Sequence, residues 1–187
     1  MSVAQDNSAL LYSGIKDVKV NTEGQNTFGL VMKNISGPMT QGDISNGVPV
    51  FNFDFGSVNF GTLGATTGGM TGGKPTALFA TFISPCTQAS PNLYLYSNSA
   101  QQLGDTTFYA LTTGTGAAVT TMLKIAFTNA SIVSYKLMAG IPGISLADQY
   151  QIAYTKAVVT YTPTGATGAA GSNTVQGWDF AAMKAGS

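Results

Sequence analysis

Ser90-Pro91-Asn92-Leu93, Thr107-Phe108-Tyr109-Ala110-Leu111, Met122-Leu123-Lys124-Ile125-Ala126-Phe127, Ile132-Val133-Ser134-Tyr135 and a run from Tyr150 to Pro163 follow in order and close on Gly177-Trp178-Asp179-Phe180. The order reads as a helix start, four strand-like runs and an anchored tail. Ser90 as N-cap with Pro91 at the first helical position is a start signal, because proline there removes an amide that has no intrahelical partner anyway. Leu93, Tyr96, Ala100 and Leu103 then share one helical face, and Gly104 suits the position after the last turn. The late run, Tyr150-Gln151-Ile152-Ala153-Tyr154-Thr155-Lys156-Ala157-Val158-Val159-Thr160-Tyr161-Thr162-Pro163, reads as one long strand. Ile152, Tyr154 and Val158 fall on one side of it, Ala153, Ala157 and Val159 on the other, and neither side is purely polar. A barrel wall whose outer side meets another subunit has that character, which makes Tyr154 and Val158 candidates for subunit packing. Leu146, after the turn Ile141-Pro142-Gly143-Ile144, is a further candidate. Trp178, beyond the Gly/Ala-rich stretch from Gly165 to Ser172, is expected to anchor the C-terminal tail.

Upstream, Phe51, Phe53 and Phe55 alternate with Asn52 and Asp54, the period-two signature of a strand with one apolar face. Leu11 to Val20 and Phe28 to Lys33 also read as strands, the first weakened by Gly14. Gly61 to Gly73 is Gly- and Thr-rich and uncharged up to Lys74, so a long surface loop is expected there. A phosphate-binding turn would need Ser or Thr after Gly73-Lys74, where Pro75 stands.

Val, Ile, Thr, Tyr and Phe in short runs, interrupted by 23 Gly and 7 Pro, favour an all-β fold, and 187 residues with 44% apolar content suit a single domain over 1–187. The expected architecture is a small antiparallel β-barrel with one short α-helix. All 8 basic residues are lysines and there is no histidine. Histidine-based nucleophilic triads and the usual His-containing zinc sites therefore cannot be built, and one cysteine cannot supply a four-thiolate site. No enzyme activity, metal or other cofactor is expected. Nucleic acid is an improbable partner, because the lysines are dispersed and formally balanced by 8 acids.

A charged fraction of 9% is far below the roughly 25% of ordinary soluble domains. With a net charge of +0, little repulsion holds copies apart, and self-association is the natural expectation. Met1 to Asn7 carries neither a basic nor an apolar leader segment, so no cleavable signal is visible. No apolar run approaches the length needed to span a bilayer, about 18 residues, so no membrane insertion is expected. Cys86 has no second cysteine in the chain and reads as a buried free thiol.

From Ser90 to Phe180 the layout resembles the Hcp family (hemolysin-coregulated proteins), the tube proteins of bacterial type VI secretion. The matching pieces are the Ser-Pro-Asn-Leu helix start, the strand Thr107 to Leu111, the strand Met122 to Phe127 running into Ile132-Val133-Ser134-Tyr135, the late run ending Tyr161-Thr162-Pro163, and Gly177-Trp178-Asp179. Val48-Pro49-Val50-Phe51-Asn52-Phe53-Asp54-Phe55-Gly56 is similar to the early family strand that leads into a long loop. This chain departs from the family in its longer stretch between Val20 and Gly47 and in its scarcity of charge.

The resemblance implies hexameric rings that stack into a hollow tube, the inner tube of a contractile injection machine, with sheath, spike and effector proteins as partners. It also implies export without a signal peptide. The loop from Gly61 to Lys74 would then reach the neighbouring ring, with Leu63 and Met70 as apolar anchors and Gly61, Gly68, Gly69 and Gly73 allowing close backbone approach beside Lys74. Two alternatives stay open. One is an extracellular filament of the same subunits without contractile machinery, and the other is a secreted β-sandwich carbohydrate-binding or adhesin module using Trp178.

Overall fold

The computed structural model describes residues 26–59, 62–63, 70–71, 73–113, 119–141, 144–163 and 170–186. The strand expected at Leu11 to Val20, Gly61, Gly68 and Gly69 of the loop, Pro142-Gly143 of the turn and the first part of the Gly/Ala-rich stretch lie outside these residues.

Among the described residues the fold is mainly β with one helix. Its spine is β11, Val119–Ile141, a single strand of 23 residues where the sequence suggested two. Its first half lies between β10 (Gln102–Thr113) and β13 (Lys156–Tyr161), and its second half pairs with β12 (Ile144–Ala153). Asn129, at φ +53°, marks the bend between the halves, a left-handed conformation that Asn adopts more readily than most residues. Thr155 donates its N–H to Thr128 O at 3.0 Å, and the Asn129 amide donates to Thr155 Oγ1 at 3.0 Å. The bend is thereby tied to the break in the late run.

That break corrects the expectation of one long strand. Tyr154 and Thr155 interrupt it, and the buried side changes phase: Tyr150, Ile152 and Tyr154 are buried before the break, Ala157 after it. A second bend does the same upstream. β3 (Ile44–Val50) pairs with β1 (Asn26–Met32), and β4 (Asn52–Asp54) pairs with β9 (Ala80–Pro85), which also pairs with β12. Phe51, between β3 and β4, donates its N–H to Ile83 O at 2.7 Å. Val48 and Val50 are buried before it, and Phe53 and Phe55 pack on the core after it, whereas Phe51 itself is exposed. The barrel is therefore not closed by a continuous ladder; at this corner the bent chain itself carries the sheet round. At the open end of the sheet, β2 (Met39–Gln41) pairs with β3.

The core is an aromatic cluster between these layers. Phe53 stacks on Phe108 with centroids 4.0 Å apart, Phe82 lies 5.6 Å from Tyr150, and Phe127 lies 5.0 Å from Tyr154. Such contacts add to the burial of the rings themselves. Ser84 Oγ, at 3.1 Å, satisfies the buried Tyr150 hydroxyl.

The helix, α1, spans Ser90–Ser99, with Ala89 as N-cap and Ala100 closing it at φ +53°. It is shorter than the sequence pattern implied, since Leu103 and Gly104 already belong to β10. Ser90 is not the cap. It is the first helical residue, and its hydroxyl accepts the Thr87 N–H at 2.9 Å and donates to Asp148 Oδ2. Tyr135 donates to Asp148 Oδ1 at 2.8 Å, so a fully buried carboxylate on β12 fastens α1 to the sheet alongside the buried Leu93. Two hydroxyl donors offset the desolvation of that group. Cys86, expected buried, is exposed; its backbone N–H, not its thiol, is held, by Leu146 O at 3.2 Å.

The C-terminal tail is more ordered than an anchored strap. β14 (Thr174–Asp179) extends the main sheet by pairing along all of β13, and β15 (Lys184–Ala185) folds back on its end. No helix among the described residues is long and apolar enough to cross a membrane.

Candidate functional site

Between Phe55 and Leu78 Gly and Thr predominate, with Val58, Phe60, Leu63 and Met70 as scattered apolar residues, and two short ladders pair the described parts of this stretch as an arm. At its base, β5 (Ser57–Asn59) pairs with β8 (Pro75–Ala77). Further out, β6 (Thr62–Leu63) pairs with β7 (Met70–Thr71). Between the pairs Asn59↔Pro75 and Thr62↔Thr71, one strand advances three residues (59 to 62) and the other four (75 to 71).

The loop expected at Gly61 to Lys74 is therefore partly strand. Leu63 and Met70, the two apolar residues singled out in it, are register partners. Gly73 is half-buried and Lys74 is exposed at the arm's base. Leu78 donates its N–H to Gly56 O at 3.0 Å, adding a rung below the Ser57↔Ala77 pair that joins the two segments at the arm's root. Beside that root Leu78 is 41% and Phe79 50% exposed, an apolar pair that the sequence reading did not single out. The signal was present as Leu-Phe directly after a Pro-containing edge strand, but period alone cannot tell an exposed pair from a buried one.

The other candidates separate. Leu146 is 43% exposed on β12, and its pairing with Ala139 sets it near Leu137, itself 53% exposed. Val158 is half-buried, opposite Gly177 and Ala126 in the ladders. Tyr154 is a correction: it is buried among Phe55, Phe127 and Phe180, and its hydroxyl donates to Gly56 O at 3.4 Å. It keeps the inward phase of Tyr150 and Ile152 and packs within its own subunit. Burial pushes its pKa up to about 12. Trp178 is half-buried opposite Ala157 and Ala185, its indole Nε1 enclosed with no acceptor among the described residues. It is thus fixed within the sheet and is not laid open in a groove.

The protein-family model of the type VI secretion system effector Hcp matches residues 29–161. No curated protein matches the sequence. Among solved structures, one described as a type six secretion system protein superposes with a TM-score of 0.78 at 19% identity, over 86% of this chain and 99% of that one. Hcp1 from Salmonella typhimurium is similar with a TM-score of 0.70 at 19% identity, over 87% of this chain and 99% of that one. Hcp1 from the EAEC 042 pathovar of E. coli gives 0.64 at 16% identity, over 83% and 98%. Helix start, strand order and late run thus sit in one fold and in one matched segment, and the chain belongs to the Hcp family of type VI secretion.

Proposed function

We propose that this protein is the structural subunit of a hollow tube of stacked hexameric rings, the inner tube of a type VI secretion machine. The observation that carries the reading is the family match across 29–161, joined to a β body from which a paired arm extends. The work is mechanical. Rings close laterally through the body, and the arm, with Leu63 opposite Met70, reaches the adjacent ring and gives an open-ended polymer. The Gly residues around them let backbone approach backbone on docking. Leu146 and Val158 meet neighbours within the ring.

A sheath contracting around the tube and a spike at its tip are the remaining parts of the machine, and small effector proteins travel in the lumen. The tube is exported with them. Catalysis has no part in this role, and a chain without histidine loses nothing by it. The carbohydrate-binding alternative loses its main support, since Trp178 is built into the β13–β14 ladder.

Negative-stain electron microscopy of the purified protein tests the proposal. Rings or hollow tubes are expected, and uniform monomers at high concentration would overturn it.

A further inference from the structure

Two neighbouring positions on β3 are constrained by the backbone, and together they make a reactive pair. Asn46 stands at φ +54°, the left-handed region that Asn enters more readily than most residues. It lies where the ladder with β2 shifts register: between Met39↔Gly47 and Gln41↔Ile44, β3 advances one residue more than β2. Gly47 has no room for a side chain, since a Cβ there would stand 2.4 Å from Ile44 Cγ2. A residue that tolerates the left-handed region, followed by Gly, is what this turn of the chain requires, and Asn46-Gly47 is the sole Asn-Gly in the sequence.

The surroundings leave the pair able to react. Asn46 is exposed, and its carboxamide has no hydrogen-bond partner among the described residues. Gly47 is paired with Met39 of β2, whereas the ladder with β1 covers Val48, Pro49 and Val50 and stops short of it. β2 has three residues and ends the strand order of the sheet, so freeing Gly47 means opening one short strand. The Asn46 carbonyl oxygen accepts the Gly37 N–H at 2.8 Å, a bond that draws charge out of the peptide group it shares with Gly47 and eases loss of the Gly47 amide proton. Asn129 supplies a contrast within the same chain. It has the same left-handed backbone, at φ +53°, but Ala130 follows it and its amide is held by Thr155 Oγ1 at 3.0 Å.

We propose that Asn46-Gly47 is a self-modification site, at which the chain converts its own asparagine to aspartate and isoaspartate with water as the co-reactant. The Gly47 nitrogen, its proton taken by hydroxide, adds to the side-chain carbonyl carbon of Asn46. The carboxamide C–N bond breaks, ammonia leaves, and a succinimide ring closes. Water then opens the ring at either carbonyl. One opening gives an aspartate, which the left-handed conformation accepts; the other routes the main chain through the former side chain and adds a methylene to β3. Beside Gly47, where one Cβ does not fit, that methylene displaces the buried Val48 and Val50. The reaction needs no second subunit, so it does not depend on the tube reading, and the isoaspartate product is a substrate for enzymes of the protein isoaspartyl methyltransferase class.

Folded wild-type protein aged in mildly alkaline buffer tests the site by peptide mass spectrometry. The Asn46 peptide should gain the mass of an amide-to-acid change at least about 10-fold faster than the Asn129 peptide, a separation of the size that differences in local opening produce. The rate should rise with pH, because the attacking nitrogen must first lose its proton. An isoaspartyl methyltransferase with labelled S-adenosylmethionine should mark the aged wild type far more than Asn46→Gly, a variant that suits the left-handed position and lacks the carboxamide. Equal rates at Asn46 and Asn129, or undiminished labelling of Asn46→Gly, would overturn the proposal. So would conversion of Asn46 only in protein unfolded by urea, because β2 would then be shielding Gly47.

Discussion

In the body, Phe82 alone meets Phe53, Phe108, Phe127 and Tyr150. In the arm, two ladders of two and three pairs stand with Gly and Thr around them. The body holds its shape through contacts within one subunit. The arm has too little apolar surface to hold a hairpin rigidly alone, because an isolated two-stranded hairpin in water is marginal at best. The difference assigns the two regions separate tasks, stability to one and association to the other.

The largest effect should come from breaking the body. Phe82→Ala empties the middle of the aromatic cluster and should cost about 3–5 kcal/mol, read as a drop in the urea unfolding midpoint with subunits too unstable to assemble. Asp148→Ala should cost less, about 1–3 kcal/mol, because it leaves the buried Ser90 hydroxyl and the half-buried Tyr135 hydroxyl without their acceptor. Its distinctive readout is early hydrogen exchange in α1, ahead of β10 and β11.

Alkali sharpens the same contrast. Burial raises the pKa values of Tyr109, Tyr135, Tyr150 and Tyr154, the last to about 12. A group whose folded pKa is raised stabilises the fold fully below its unfolded pKa, about 10 for tyrosine, and loses that contribution as the pH climbs through the folded value. Urea midpoints should be flat from about pH 7 to 9 and fall steadily above about pH 10. A midpoint unchanged at about pH 12 would mean that the tyrosines are not enclosed as described.

The smallest effect on stability belongs to the arm. Leu63→Asp with Met70→Asp should shift the unfolding midpoint by no more than about 0.5 kcal/mol, in the range of surface changes.

What the sequence disclosed follows the same division. Alternation in Phe53 and Phe55 and the run from Met122 to Phe127 report burial and lie where they were expected, while the helix starts at Ser90, one residue ahead of the expected first position at Pro91. Period reasoning failed wherever the chain bends without changing composition. Phe51 and the Tyr154-Thr155 break each shift the buried side by one residue, and Asn129 bends β11 without ending it, so one strand read as two. No pattern in a single sequence marks such a slip, because the pairing partner sets it.

Ser90 was legible as a polar residue at a helix start, but its actual acceptor, Asp148, is 58 residues away. β14 escaped notice because a strand near the end of the sheet, with its first three residues exposed, shows no burial alternation. For the candidate site, Leu63 and Met70 were picked out as the apolar residues of a Gly-rich stretch, yet nothing in the local pattern marks them as register partners. Tyr154 was misplaced by the same one-residue slip that hides in the late run.

Electron microscopy of wild type beside the Leu63→Asp, Met70→Asp double variant tests the division of labour most directly. The account predicts tubes from the wild type and separate, intact rings from the variant. Normal tubes from the variant, or a variant that forms no rings at all, would contradict it.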